Sequence, residues 1–177
     1  MGYFKENGFK GGVHIVNTPE EVASIAEKMC HHTLVTKQSG ADGLPCNFVY
    51  IVQKIGIQKE FYLSLTLDRK QGCPVFIYSP AGGMSIEDVA EKEPEKIFKI
   101  PVHPQNGLDI DDLLKAATNL GCDDYKSQIV FLFKHVYDCF MEKDCDLIEI
   151  NPLVLTDEGQ IVAADSKITI DDNAAFR

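Results

Sequence analysis

The clearest alternation of hydrophobic and polar residues lies in the segment KEFYLSLTLDR, at residues 59–69. Every second side chain of an extended chain points to the same side, so this segment presents one apolar side and one mainly polar side. The apolar side carries Phe61, Leu63, Leu65 and Leu67. This pattern predicts a half-buried strand of an antiparallel sheet, with its apolar side toward the core.

Shorter hydrophobic runs predict five further strands, at residues 13–16, 34–38, 48–52, 74–79 and 97–102. The last of these is expected at the edge of a sheet, because Pro101 has no N–H to donate to a neighbouring strand. The glycine-punctuated residues 1–12 and the segment 39–47 are predicted to be loops.

Four segments carry the start signals or the spacing of helices. Thr18 is followed by a proline and two glutamates, which predicts a helix capped by the threonine side chain. Ser85 with an aspartate three residues later predicts a short capped helix. Residues 108–119 and 123–143 are predicted to be longer helices, because their apolar residues recur at helical spacing.

Residues 147–170 have the pattern of two strands joined by a tight loop. The tripeptide DEG at 157–159 suits a three-residue hairpin connection with Gly159 in the left-handed region. In that register Thr156 faces Gln160. Together with the helices and the preceding strands, this hairpin predicts an α+β fold with a mostly antiparallel sheet and packed helices.

The same register decides which side chains of the hairpin share a side. Asn151 would face Asp165, and Glu149 would face Lys167, all four on one side of the two strands. The opposite side is expected to face the core, and it carries Ile148, Ile150, Ala164, Ile168 and Ile170.

An amide oxygen and a carboxylate on adjacent strands form a pair of hard oxygen ligands. Such a pair at Asn151 and Asp165 suits a Mg²⁺ that keeps water and phosphate ligands. A competing interpretation is the ordinary solvated side of an exposed hairpin. Glu149 and Lys167 would then form a simple cross-strand ion pair, which is worth well under ~1 kcal/mol when exposed.

Composition narrows the class of partner. The chain has 177 residues and a net charge of −10, which argues against nucleic acid or an anionic membrane as the main partner. No apolar run approaches the length of a membrane span.

The six cysteines show no metal-ligand spacing and are interpreted as free thiols in a reducing compartment.

The motifs LIEINPL (147–153), ADSK (164–167) and DDNAAFR (171–177) resemble the nucleotide-binding β subunit of succinyl-CoA synthetase, an ATP-grasp enzyme. The resemblance covers the whole chain and implies an ATP-grasp-like fold, with about 1–55 in a first lobe and about 56–177 in a second. The family's glycine-rich phosphate loop and its C-terminal CoA-ligase domain are expected to be absent. The isolated chain is therefore predicted to be catalytically inactive.

The resemblance also implies roles for residues of the hairpin. Asn151 and Asp165 match the two Mg²⁺ ligands of the family. Glu149 matches the catalytic glutamate that holds the phosphorylated histidine of the partner α subunit. Gly82-Gly83 with the helix that follows resembles the family's loop near the docking region for that histidine; a plain turn before a helix is an equally good interpretation.

Two segments match the family's nucleotide-binding region. KEFYL places Glu60 at the position of a nucleotide-contacting glutamate. Val52, Gln53 and Ile55 match the hinge between the two lobes, whose backbone meets the purine of ATP and ADP or of GTP and GDP. For Glu60, a solvated charge on a strand is the competing interpretation.

The function implied is the reversible conversion of succinyl-CoA, nucleoside diphosphate and phosphate into succinate, CoA and nucleoside triphosphate. It would need Mg²⁺ and a phosphohistidine on the α subunit, in the mitochondrial matrix or, in a bacterium, the cytoplasm. One alternative is the same region of a malate–CoA or ADP-forming acetyl-CoA synthetase. Another is a non-catalytic module whose acidic hairpin binds a protein partner.

Overall fold

The computed structural model describes residues 2–37 and 39–176. The chain divides into two compact units, Met1–Lys54 and Ile55–Arg177. Within the described residues, no helix is both long enough and apolar enough to cross a membrane.

The described residues of the first unit form one helix and a three-stranded antiparallel sheet. Its elements are β1 (Tyr3–Phe4), α1 (Pro19–Met29), β2 (His32–Val35) and β3 (Leu44–Cys46), and the strand order is β1-β2-β3. The predicted cap of α1 is confirmed, because the Thr18 side chain accepts a hydrogen bond from the N–H of Glu21. Phe4 is fully buried and anchors β1 in this unit.

Two of the strands predicted in the first unit are wrong. Residues 13–16 and 48–52 have no strand structure, and Phe48 and Tyr50 are 90% and 92% exposed. A strand needs a hydrogen-bonded neighbour, and the neighbours of β2 are instead β1 and β3, which lie inside the segments predicted to be loops. The strand predicted at 34–38 is β2, which lies slightly earlier in the chain; Gln38 lies outside the described residues.

The second unit is built on a six-stranded antiparallel sheet. Its strands are β4 (Ile57–Asp68), β5 (Cys73–Ser79), β6 (Phe98–Pro101), β7 (Cys145–Thr156), β8 (Ile161–Ala163) and β9 (Ser166–Ile170). The order is β6-β5-β4-β7-β8, and β9 also pairs with β7. The predicted edge position of the proline-containing strand β6 is confirmed.

The helices of the second unit are α2 (Ile86–Lys92), α3 (Ile110–Asn119) and α4 (Lys126–Glu142). The buried residues of α3 and α4 form one core with the apolar side of the sheet. At its centre the ring of Phe133 lies 4.8 Å from that of Phe76 and 5.7 Å from that of Tyr78. The predicted cap of α2 is confirmed, because the Ser85 side chain accepts the N–H of Asp88. The predicted buried stripe of α4 is confirmed at Ile129, Phe133, Val136 and Phe140.

The alternation along β4 is confirmed on its apolar side, where Phe61, Leu63 and Leu65 are buried, although Leu67 is half-exposed. The side predicted to be polar is also partly covered, because Tyr62 and Ser64 are buried.

The predicted hairpin register is confirmed on both sides of the gap between β8 and β9. Leu155 pairs with Ile161, Glu149 pairs with Lys167, and Gly159 has a φ of +76° in the turn. The expected apolar side is right only for β7, where Ile148 and Ile150 are buried. Ala164 is exposed, and Ile168 and Ile170 are half-exposed, because β9 forms the margin of the sheet and all five of its residues face solvent.

Candidate functional site

A β-bulge interrupts the pairing of β4 with β7 at the centre of the predicted site. One residue separates Phe61 from Leu63 on β4, whereas two residues, Asn151 and Pro152, separate their partners on β7. Such a bulge bends the strand and redirects a side chain. The proline at this point has no N–H to contribute to the ladder. Asn151 is thereby released from regular pairing.

The side chain of Asn151 is held by the loop that precedes α2. Its Oδ1 accepts the N–H of Gly83 at 3.0 Å, and its Nδ2 donates to the carbonyl oxygen of Met84 at 2.9 Å. One partner can only donate and the other can only accept, so the orientation of the amide follows from the chemistry.

The same loop lies against the start of β4 at Glu60. The N–H of Gly82 donates to the carbonyl oxygen of Glu60 at 3.2 Å. A Cβ on Gly82 would lie 2.4 Å from the backbone nitrogen of Phe61, and a Cβ on Gly83 would lie 2.2 Å from the Glu60 Oε2. Gly83 also has a φ of +70°, which favours glycine. The loop therefore brings together Glu60 and Asn151, which the sequence placed 91 positions apart.

Asp165 lies between β8 and β9, where the ladder to β7 is broken. The N–H of Ala164 donates to the carbonyl oxygen of Pro152 at 3.2 Å, which keeps the predicted register through the break and places Asp165 opposite Asn151. Asp165 is exposed, and its Oδ1 accepts the N–H of Ser166 at 2.9 Å. The register at the two predicted metal ligands is thus as expected; their binding of a metal stays a prediction.

The donor chemistry of this pair fits Mg²⁺. The Asn151 oxygen has a second lone pair beyond the one that accepts from Gly83, and a carboxylate has further acceptor sites on both oxygens. Across the described ranges, no group of three or more His, Cys, Asp and Glu side chains is arranged to hold a metal. One amide and one carboxylate suit a cation that takes its remaining ligands from water and phosphate.

Glu149, the predicted catalytic residue, is half-buried and pairs with Ser64 on one side and Lys167 on the other. No ion pair joins it to Lys167 in the part of the chain that the structure describes. Burial raises the pKa of the nearby Tyr62, and the charges of Glu149 and Glu87 raise it further. Glu149 therefore lies near a buried phenol whose neutral form is favoured.

The predicted nucleotide-binding residues fall in different places. Val52 and Gln53 lie in the first unit and are exposed, whereas Ile55 and Glu60 lie in the second. Residues 47–56 have no regular secondary structure, and the division between the units falls at Lys54 within them. Their contact with a nucleotide stays a prediction.

Neither the hydrogen bonds between the loop and Asn151 nor the burial of Tyr62 was predicted from the sequence. One signal for the bulge was present, because Pro152 stands in the middle of a central strand, where proline is found essentially at bulges. Gly83 and Met84 bind Asn151 through backbone atoms, so the identity of their side chains could not predict these hydrogen bonds.

Residues 5–155 match the family model of the ATP-grasp domain. The chain therefore belongs to the ATP-grasp family. An ATP citrate lyase from Methanothrix soehngenii, solved with citrate and coenzyme A, has the same fold: the TM-score is 0.67 and the identity 16%, over 99% of this chain and 39% of that one. The α+β, ATP-grasp prediction is confirmed.

Within that family, the chain is similar to succinate–CoA ligase [ADP-forming] β subunits. It is 46% identical to the one from Blastocystis sp. subtype 1, over 97% of this chain and 42% of that protein. It is 42% identical to the mitochondrial one from Dictyostelium discoideum, over 97% of this chain and 39% of that protein. The chain thus spans about two-fifths of the length of these relatives.

Proposed function

We propose that the chain is the nucleotide- and Mg²⁺-binding part of a succinate–CoA ligase β subunit. The observation that carries the proposal is the meeting of Glu60 and Asn151 at one glycine loop, with Asp165 opposite Asn151 in the hairpin. The relatives named above support the same assignment, and their names favour the succinyl enzyme over a malate–CoA or acetyl-CoA synthetase and over a non-catalytic module.

Asn151 and Asp165 would hold Mg²⁺, and Glu60 would contact the nucleotide together with Val52, Gln53 and Ile55. When bound, the cation would neutralise charge on the nucleotide phosphates during phosphoryl transfer. The nucleotide would be ATP and ADP or GTP and GDP.

Glu149 would act toward a partner α subunit. A half-buried carboxylate can accept the N–H of an imidazole and so select the tautomer and orientation of the ring. Glu149 would hold the phosphorylated histidine of the α subunit in this way. The complete enzyme would interconvert succinyl-CoA, nucleoside diphosphate and phosphate with succinate, CoA and nucleoside triphosphate, in the mitochondrial matrix or a bacterial cytoplasm.

Metal binding is tested in the complete β subunit that carries this segment, with Mn²⁺ as the probe, titrated in the presence of ADP and followed by electron paramagnetic resonance. Asp165→Ala should weaken Mn²⁺ binding by about tenfold or more, because it removes one of two protein ligands. Glu158→Ala removes the same charge from the exposed turn of the same hairpin and should leave the affinity within about twofold. Equal effects of the two variants would contradict the assignment.

The role of Glu149 is tested in the complete β subunit that carries this segment, co-expressed with its α subunit. Transfer of radiolabelled phosphate from the nucleoside triphosphate to the α-subunit histidine should fall by about a hundredfold or more in Glu149→Ala. Glu158→Ala should transfer phosphate normally. Normal transfer in both variants would remove Glu149 from the proposal.

A further inference from the structure

The asparagine at 151 meets two backbone groups of opposite kind. Gly83 offers an N–H donor at 3.0 Å from Oδ1, and Met84 offers a carbonyl acceptor at 2.9 Å from Nδ2. An amide has one acceptor end and one donor end, so it satisfies both groups at once. The pairing fixes the plane of the amide, and with it the direction of the second lone pair of Oδ1.

An aspartate in the same conformation would satisfy only one of these groups. It would still accept from Gly83, but its second oxygen would lie where Nδ2 now donates, facing the carbonyl oxygen of Met84. Two acceptors would then face each other with no proton between them, and the two oxygens would repel each other. The carboxylate would have to turn away and give up the orientation that the loop provides.

We propose that Gly83 and Met84 are positioning residues, which hold Asn151 as an oriented ligand, and that position 151 therefore requires an amide rather than a carboxylate. This inference rests on the proposed function only in taking Asn151 as a cation ligand. The clamp itself consists of two hydrogen bonds within the chain.

Simple electrostatics makes the opposite prediction for this position. A second negative charge beside Asp165 would attract a divalent cation more strongly than a neutral amide does. Asn151→Asp therefore separates the two ideas, because charge alone predicts tighter binding and loss of the clamp predicts weaker binding.

The first experiment compares Mn²⁺ affinity, in the presence of ADP, between wild type and Asn151→Asp. We expect about tenfold weaker binding, from the loss of one hydrogen bond and the misdirected oxygen. Asn106→Asp adds the same charge at an exposed turn and serves as the matched control, with an expected change within about twofold. Binding by Asn151→Asp that equals or exceeds that of the wild type would overturn the requirement for an amide.

The second experiment needs no metal and measures amide hydrogen exchange by NMR in the 177-residue chain. In Asn151→Ala the amide of Gly83 should exchange about five- to tenfold faster, because it loses its acceptor. The amide of Gly82, which donates to the Glu60 carbonyl, is the internal control and should change by less than about twofold. Unchanged exchange at Gly83 would overturn the clamp.

The two proposals fail in different ways. If the complete wild-type β subunit bound no Mn²⁺ with ADP, the proposed function would be contradicted, and hydrogen exchange at Gly83 would still decide the clamp. If Asp165→Ala weakened Mn²⁺ binding but Asn151→Asp strengthened it, the metal site would stand and the positioning role would be wrong.

Discussion

Gly82 gives the sharpest test of how closely the loop lies on the sheet. A Cβ at this position would lie 2.4 Å from the backbone nitrogen and oxygen of Phe61 and 2.5 Å from its carbonyl carbon. Phe61 belongs to a buried central strand and cannot move aside, so in Gly82→Ala the loop itself must retreat by about 1 Å to reach an ordinary 3.4 Å contact.

The cost of that retreat follows from the hydrogen bonds that it breaks. The Gly82 N–H loses the Glu60 carbonyl, and the two bonds between the loop and Asn151 become misaligned. At about 1 kcal/mol each, three bonds give an expected loss of about 3 kcal/mol in the free energy of unfolding. Gly82 has no positive φ, so the whole effect is steric.

The matched control is Gly72→Ala. Gly72 has a φ of +67° and no atom within 4 Å of an added Cβ, so alanine there costs only backbone strain, about 1–2 kcal/mol. Unfolding of the chain and both variants in urea, followed by circular dichroism, measures the difference. If Gly82→Ala lost no more stability than Gly72→Ala, the loop would not lie on β4 as described.

Three further predictions concern the scaffold around the site. Phe133→Ala should lower the free energy of unfolding by about 3–5 kcal/mol in urea, because it empties the centre of the core; a loss below about 1 kcal/mol would contradict that packing. Gln128→Ala should cost about 1–2 kcal/mol in the same assay, because its side chain donates to the Gly159 carbonyl and accepts the Ile161 N–H, both at 2.9 Å; an unchanged midpoint would refute this bridge. Hydrogen bonds from the backbone N–H groups of Gln71 and Lys70 lower the pKa of Asp68. Its ionised form therefore stabilises the fold above the unfolded-state pKa, and this contribution is lost as the pH falls through the folded-state pKa. Asp68→Asn should therefore be more destabilising at pH 6 than at pH 3, and an equal effect at both values would argue against it.

Local chemistry was enough to predict much of this protein. The alternation along β4, the capped helices and the three-residue turn at Gly159 each depend on residues close in sequence, and each is present. The turn also fixed the hairpin register, so that Glu149 pairs with Lys167 and Asn151 comes opposite Asp165. The type and length of the turn decide which residues of a hairpin face each other, and the alternation of side chains then decides which of them share a side.

Tertiary structure decided the rest, because burial and pairing depend on partners far along the chain. The hydrophobic runs at 13–16 and 48–52 do not pair with any strand in the described part of the chain and are not strands themselves. The isoleucines of β9 are exposed because they lie at the margin of the sheet. Asn151 takes its orientation from backbone atoms 67 and 68 positions away, which no pattern of side chains encodes. A sequence displays its own periodicity and turn chemistry, whereas the backbone groups that a side chain will meet exist only after the sheet has formed.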